Sequence, residues 1–223
     1  MELIISLTIN GLATGMLIFL LAAGVTLIFG LMDVLNFAHG GLFVWGAYTG
    51  IFAYAFTESF TIGIIIALLT GAILGFITEK LIITPVYGNH VQQILITLGL
   101  MIVLSECIKV VFGPNGIPVS VPPLLAGSWE VGNIIIIKYR IFIIVIGFII
   151  YGLFHYILTR TKIGLIVRAG VMNKEMVQAL GINIKRVFLY VFMVGAALAG
   201  LGGVLMAPYS GVIYAEMGME YAI

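Results

Sequence analysis

Charge is what this chain most lacks. Only 9% of its 223 residues are Asp, Glu, Lys or Arg, whereas 62% are hydrophobic. A soluble domain carries about 25% charged residues, and so little charge cannot cover a water-facing surface of this size. Several apolar runs instead approach the roughly 20 residues that a helix needs to cross a hydrocarbon core about 30 Å thick. The net charge is +1, which implies no nucleic-acid partner. The single cysteine, Cys107, lies inside an apolar run, has no partner for an internal disulfide and leaves the compartment unread. The start of the chain, Met1-Glu2-Leu3-Ile4, lacks a basic n-region, and its apolar run is too long for a signal peptide, so it reads as part of a first membrane helix. Chemistry-bearing motifs are also missing. There is no Walker A pattern, HExxH, paired CxxC or GxSxG, and the three histidines (His39, His90 and His155) have no carboxylate beside them in the sequence. No catalytic residue, metal ligand or cofactor is expected.

What is present is a series of apolar runs. Six candidate spans cover 4–29, 42–56, 61–83, 91–112, 134–158 and 187–207, which gives an all-α, polytopic membrane fold. Pro85 disfavours helix at Thr84 and marks the exit of the third span. Gly113-Pro114-Asn115-Gly116 stops the fourth. Pro114, Pro118, Pro122 and Pro123 then predict one long irregular loop, from Gly113 to Asn133. Pro208 ends the sixth span, and 209–223 is too short and too polar to be a span of its own. Asn10, with nearby Gly and Ala, turns the first span towards other helices rather than lipid.

The stretch from Arg160 to Arg186 holds six of the ten basic residues, namely Arg160, Lys162, Arg168, Lys174, Lys185 and Arg186, with Glu175 as its one acid. Lying between long apolar runs, it is expected in water. With six crossings it shares a side with Lys80, while Lys138, Arg140, Glu2, Glu58 and Glu130 fall on the other. The excess of Lys and Arg makes the first side cytoplasmic. This reading places the N-terminus outside a cell (inner or plasma) membrane and residues 159–187 in the cytoplasm.

Three groups of residues stand out. Asp33, Asn36 and His39 recur every three residues between apolar stretches, so a helix would put them on one face. Gly30, Gly40 and Gly41 bracket them and permit a break near 30–41. Such a break either lines a cavity in the bundle, where polar groups at depth find their use, or is an ordinary cytoplasmic turn. Thr97, Ser105, Gln92 and Gln93 either line a path or bond to neighbouring helices. Glu106 and Lys109, at i and i+3, read as a self-neutralising pair near a helix end sooner than as a gate. In the basic belt, Asn173 can cap a helix Lys174–Leu180 and Gly181 can close it. Met176, Val177 and Leu180 would then form an apolar strip, with Lys174, Glu175 and Gln178 elsewhere. That strip suits either a partner's groove or the membrane surface. Small residues at spacing four predict close helix packing at Gly195, Ala199 and Gly203, at Ala196 and Gly200, at Gly71 and Gly75, and at Gly11 and Gly15.

Several of these residues also carry a resemblance. Gly24-Val-Thr-Leu-Ile-Phe-Gly30 followed by Val34-Leu-Asn-Phe-Ala-His-Gly40, then Phe112-Gly-Pro114, Ala179-Leu-Gly-Ile-Asn183 with Arg186, and Gly195-Ala-Ala-Leu-Ala-Gly-Leu-Gly-Gly-Val204 resemble the permease subunits of branched-chain amino acid ABC importers. The likeness runs in order from about Gly11 to Tyr209; urea and short-chain amide permeases are similar. It implies a non-enzymatic importer subunit forming a single transmembrane permease domain over 1–223. The implied partners are a second homologous permease, two cytoplasmic ATPases and an extracytoplasmic substrate-binding protein, with the lipid bilayer around them. It also implies that Asn173, Lys174, Glu175, Met176, Val177, Leu180 and Gly181 couple to the ATPase, and that the Asn36–His39 region lies at a broken helix near the substrate path. Asp33 and Thr97 are added to that path on their polarity. Members of the family continue with a Gly-rich stretch and about two more helices, which this sequence does not include. The rival readings are a stand-alone channel or secondary carrier, for which Asp33 is the one modest ion-coupling candidate, and a non-transporting membrane scaffold.

Overall fold

The computed structural model describes residues 2–131 and 134–221. Met1, Gly132, Asn133, Ala222 and Ile223, where the expected chain ends and the expected end of the long loop fall, lie outside the described residues.

Nine α-helices are described: α1 (Glu2–Met32), α2 (His39–Thr57), α3 (Phe60–Thr78), α4 (His90–Phe112), α5 (Lys138–Arg160), α6 (Lys162–Met172), α7 (Lys174–Ala179), α8 (Ile184–Ser210) and α9 (Met217–Glu220). Five long apolar stretches could cross a membrane: Leu3–Met32, Phe60–Val86, His90–Phe112, Lys138–Arg160 and Ile184–Ser210. The protein is a multi-pass, all-α membrane protein. The expected six spans resolve into these five and α2, which differs in kind. Most of the first half of α2 is buried among other helices, including His39, Leu42, Phe43, Val44, Ala47 and Tyr48.

The bundle is built around α8. In lipid no hydrophobic drive pushes helices together, so contact depends on how closely backbones approach. A methyl group on Gly195 would run into the Gly24 carbonyl of α1, one on Gly200 into the Ala67 carbonyl of α3, and one on Gly203 into the Phe43 carbonyl of α2. Ala199 is wholly buried. From the other side, Gly71 meets Ala196, Gly75 meets the Ala196 methyl, and Gly46 meets Gly200. Close backbone approach thus falls at Gly195, Gly200 and Gly203 of α8 and at Gly71 and Gly75 of α3. Gly11 and Gly15 of α1 differ: among the described residues nothing lies within 4 Å of a methyl added at either.

Several helix ends differ from expectation. Ile134–Ile137 is not the start of the fifth span but a strand, β3, paired antiparallel with β2 (Ser128–Val131). Four successive β-branched residues suit a hairpin better than a helix start, and α5 begins at Lys138. The loop after α4 is thus partly ordered. Its β1 (Ile117–Pro118) pairs with β4 (Val212–Ile213), which follows α8. The chain then turns back through α9, where the Gly218 backbone packs against the Gly40 carbonyl. Pro208 does not end the last long helix; the helix runs to Ser210, because a proline so near the end deprives only the carbonyl four residues earlier of its N–H. Near Pro85 the chain does leave α geometry, through a π turn (Glu79–Ile83) and a 3₁₀ turn (Thr84–Val86). Asn10 faces protein as expected: it accepts a hydrogen bond from Arg140, whose guanidinium lies over the Tyr209 ring at 5.9 Å.

The basic stretch is not simply a loop in water. Sequence reading missed α6, which Thr161 caps through the Gly164 N–H at 3.1 Å. It folds back tightly, with Gly164 against the carbonyls of Ile157 and Leu158 and Gly170 against Leu31 and Ile184.

Candidate functional site

The break between α1 and α2 lies at 33–38. Asp33 has φ +57°, in the left-handed region that short polar side chains tolerate, and regular helix resumes only at His39. Asp33, Asn36 and His39 therefore do not share one helical face. Asp33 is exposed and its carboxylate stands 3.6 Å from His90 Nε2, at the start of α4. His39 is buried (1% exposed) beside Gly24 of α1. Among the described residues, neither its ring nitrogens nor the amide atoms of Asn36 have a hydrogen-bond partner, although all are shielded. Buried polar groups normally find a partner in protein or ordered water.

Thr97 faces the same break from α4. It is fully buried, donates to the Gln93 carbonyl at 2.7 Å and lies 3.4 Å from the Leu35 carbonyl. Gln93, also buried, donates to the Val86 carbonyl at 3.1 Å and leaves its own amide oxygen unpaired among the described residues. The structure thus brings Asn36, His39 and Thr97 to the inner side of the break and leaves Asp33 at its rim. Of the other polar residues, Lys109 bonds Glu106 at 2.8 Å as expected. It also reaches Glu216 in the turn before α9 at 2.7 Å, a contact 107 positions away in sequence and invisible there. Sequence reading also passed over Glu79, a buried acid (3% exposed) held by the Tyr87 hydroxyl at 2.6 Å and by Thr84 at 3.3 Å. The signal was there: an acid within an apolar span demands a partner. Burial, and then the bond to Glu79, push the Tyr87 hydroxyl well above its ordinary pKa.

The second cluster is α7. Asn173 caps it by accepting from the Met176 N–H at 2.8 Å. Its far end closes with Gly181 at φ +82°, where Gly181 N–H donates to the Gln178 carbonyl at 2.9 Å and Ile182 N–H to the Val177 carbonyl at 3.3 Å. This is the Schellman arrangement. The expected strip of Met176, Val177 and Leu180 is divided, however. Val177 is buried (2%) and anchors α7 to the bundle, while Met176 (59%) and Leu180 (74%) point away from it. Lys174, at the start of α7, donates to the Met32 carbonyl of α1 at 3.3 Å and lies 5.7 Å above the Phe188 ring of α8. Glu175 is exposed. Among the described residues no group of three His, Cys, Asp or Glu is placed to hold a metal.

Residues 7–223 match the family described as branched-chain amino acid transport system, permease component. Over 226 residues the chain is 29% identical to the high-affinity branched-chain amino acid transport system permease protein BraD of Pseudomonas aeruginosa, covering 94% of this chain and 73% of that protein. It is 27% identical to the corresponding LivH protein of Escherichia coli K12 over 224 residues (94% and 72%). It is also 25% identical to the permease protein LivM of the same organism over 227 residues (90% and 52%). No solved structure matches.

Proposed function

The chain belongs to the branched-chain amino acid transport permease family and is a non-catalytic membrane subunit of an ABC importer; from that premise we propose that it carries branched-chain amino acids inward, driven by ATPases that grip α7. The end of the bundle bearing Arg160, Lys162, Arg168, Lys174, Lys185 and Arg186 faces the cytosol on this reading, because loops rich in Lys and Arg stay inside. The working complex contains a second homologous permease, two ATPases and an extracytoplasmic binding protein. The path runs past Asn36, His39 and Thr97 to the rim at Asp33. With so few polar groups to hold it, a zwitterion binds weakly and passes, and selection falls to the binding protein.

One observation carries this reading: α7 is fixed at both ends and pinned by Val177, yet turns Met176 and Leu180, one helical turn apart, away from the bundle. Burying one such side chain contributes about 1.5–3 kcal/mol. Replacing both by Asp removes about 3 kcal/mol or more, over a hundredfold in association. Met176→Asp with Leu180→Asp is expected to abolish uptake and ATPase co-purification while membrane insertion stays normal. Unchanged uptake would reject the coupling role. Labelled leucine and urea, offered to the complete importer in turn, separate the branched-chain reading from that of a short-chain amide permease.

A further inference from the structure

A cavity of about 370 Å³ opens at the rim of the break, between the end of α1, the turn before α4, α7 and the start of α8. Its lining carries both signs of charge. Asp33 and His90 stand on one side, and Lys174 and Lys185 belong to the other. Apolar surface joins them: Tyr87 and Phe188 pack with ring centroids 5.6 Å apart, and Met32 and Ile184 complete the wall. Opposite charges on a partly apolar wall fit a small molecule that is itself two-signed with an apolar tail. An anion alone would meet the Asp33 carboxylate, and a cation alone the two ammonium groups. The helix ends act in the same direction, because the carbonyl end of α1 is negative and the N–H end of α8 positive.

We infer that this cavity is a cytoplasm-side binding site for a free α-amino acid with an aliphatic side chain. Its ammonium group sits at Asp33, its carboxylate between Lys185 and Lys174, and its side chain on Phe188 and Tyr87. The inference rests on the transport direction and substrate class proposed above, and adds that the product, once released inside, can occupy the same protein. Occupation joins the rim of the break to α7. Lys174 already donates to the Met32 carbonyl, and a bound zwitterion adds a second bridge, from Asp33 to Lys174 of α7 as well as to Lys185 of α8. A complex so bridged resists the relative movement of α7 and the break that a transport cycle requires, so accumulated product slows further import.

The test uses the complete importer in proteoliposomes, with binding protein outside and ATP inside. Leucine sealed inside at millimolar concentration is expected to lower the initial uptake rate of labelled leucine at least fivefold. 4-Methylpentanoate, which is leucine without the ammonium, and isoamylamine, which is leucine without the carboxylate, are expected to have no such effect. Lys185→Ala is expected to keep the uninhibited rate and to need at least tenfold more internal leucine for the same inhibition. Uptake indifferent to internal leucine, equal inhibition by 4-methylpentanoate, or a Lys185→Ala importer inhibited like the wild type would each overturn the inference while leaving the transport reading intact. Absence of ATP-dependent uptake of any branched-chain amino acid would instead sink the transport reading. The cavity is then read directly, by equilibrium binding of labelled leucine to the purified chain. Saturable binding that Lys185→Ala weakens tenfold supports the site, and no binding overturns it.

Discussion

Single residues set the spacing of this bundle. Gly46 lies so close to the Gly200 backbone that an added methyl has nowhere to go, since main-chain atoms cannot rotate aside as a side-chain tip can. Overpacking of this kind costs about 1–3 kcal/mol. Gly46→Ala is expected to lower the stability of the detergent-solubilised protein by about that amount. Gly99→Ala, on a face of α4 with nothing within 4 Å of the added methyl, should leave it unchanged or raise it slightly, because alanine favours helix. Chemical denaturation of the two variants makes the comparison; equal midpoints would show that the crossing is not tight. At this scale the sequence was informative about chemistry and less so about direction. Spacing four pointed to Gly195, Ala199 and Gly203, but Gly11 and Gly15 have the same spacing and, among the described residues, no neighbour within 4 Å of an added methyl, since a small residue permits contact without supplying a neighbour. Val177 and Leu180 are both apolar and neighbours on a helix. Only the bundle beside α7 decides that one is an anchor and the other faces outward.

At the scale of elements, the turn-back after α8 is, with α6 and the β2–β3 hairpin, a part that sequence reading missed. The residues of β4 lie in a stretch too short and polar to read as a span, and their partners in β1 are almost a hundred positions earlier. The turn is held by the Lys109–Glu216 ion pair and, within itself, by the Tyr214 hydroxyl bonded to Glu220 at 2.7 Å, a bond that lifts the Tyr214 pKa to about 12. The Lys109 ammonium holds the Glu216 carboxyl below its ordinary range. A carboxyl so depressed contributes its stabilisation above the pKa of the free group, and loses it as pH falls through the folded value. Hydrogen-exchange protection over 211–217 is therefore expected to drop several-fold between pH 6 and pH 3.5. In Glu216→Gln it should be low at both, and protection that is the same in wild type and variant would show that the pair does not hold the turn. The break at 33–38 was legible because glycines bracket polar residues there. Its geometry was not, because a three-residue rhythm looks helical until Asp33 takes a left-handed φ.

For the whole molecule, orientation is the property from which the coupling, path and product-site readings all proceed. In a Cys107→Ser background, a cysteine at Lys174 is expected to resist a membrane-impermeant maleimide added to intact cells and to react once the cells are opened. A cysteine at Glu58 is expected to do the opposite, and labelling of position 174 from outside would reverse every assignment of side. The class of the protein was readable at this scale from scarcity of charge alone, and the five long spans emerged close to where the apolar runs placed them. The distinct character of α2 was not readable. Its run of Leu42 to Phe56 resembles the others in composition, and only its burial among α3, α4 and α8 sets it apart.

The three carbonyl contacts made by glycines of α8 have a mechanical consequence. A helix that meets α1, α2 and α3 main chain to main chain cannot slide against one without dragging the other two, so those four turn as a single axle. The α4 and α5 helices bear on that axle mainly through side chains such as Trp45 to the Leu104 carbonyl and Tyr139 to the Leu205 carbonyl. On the transport reading proposed above, they are the parts left free to swing as the open side changes.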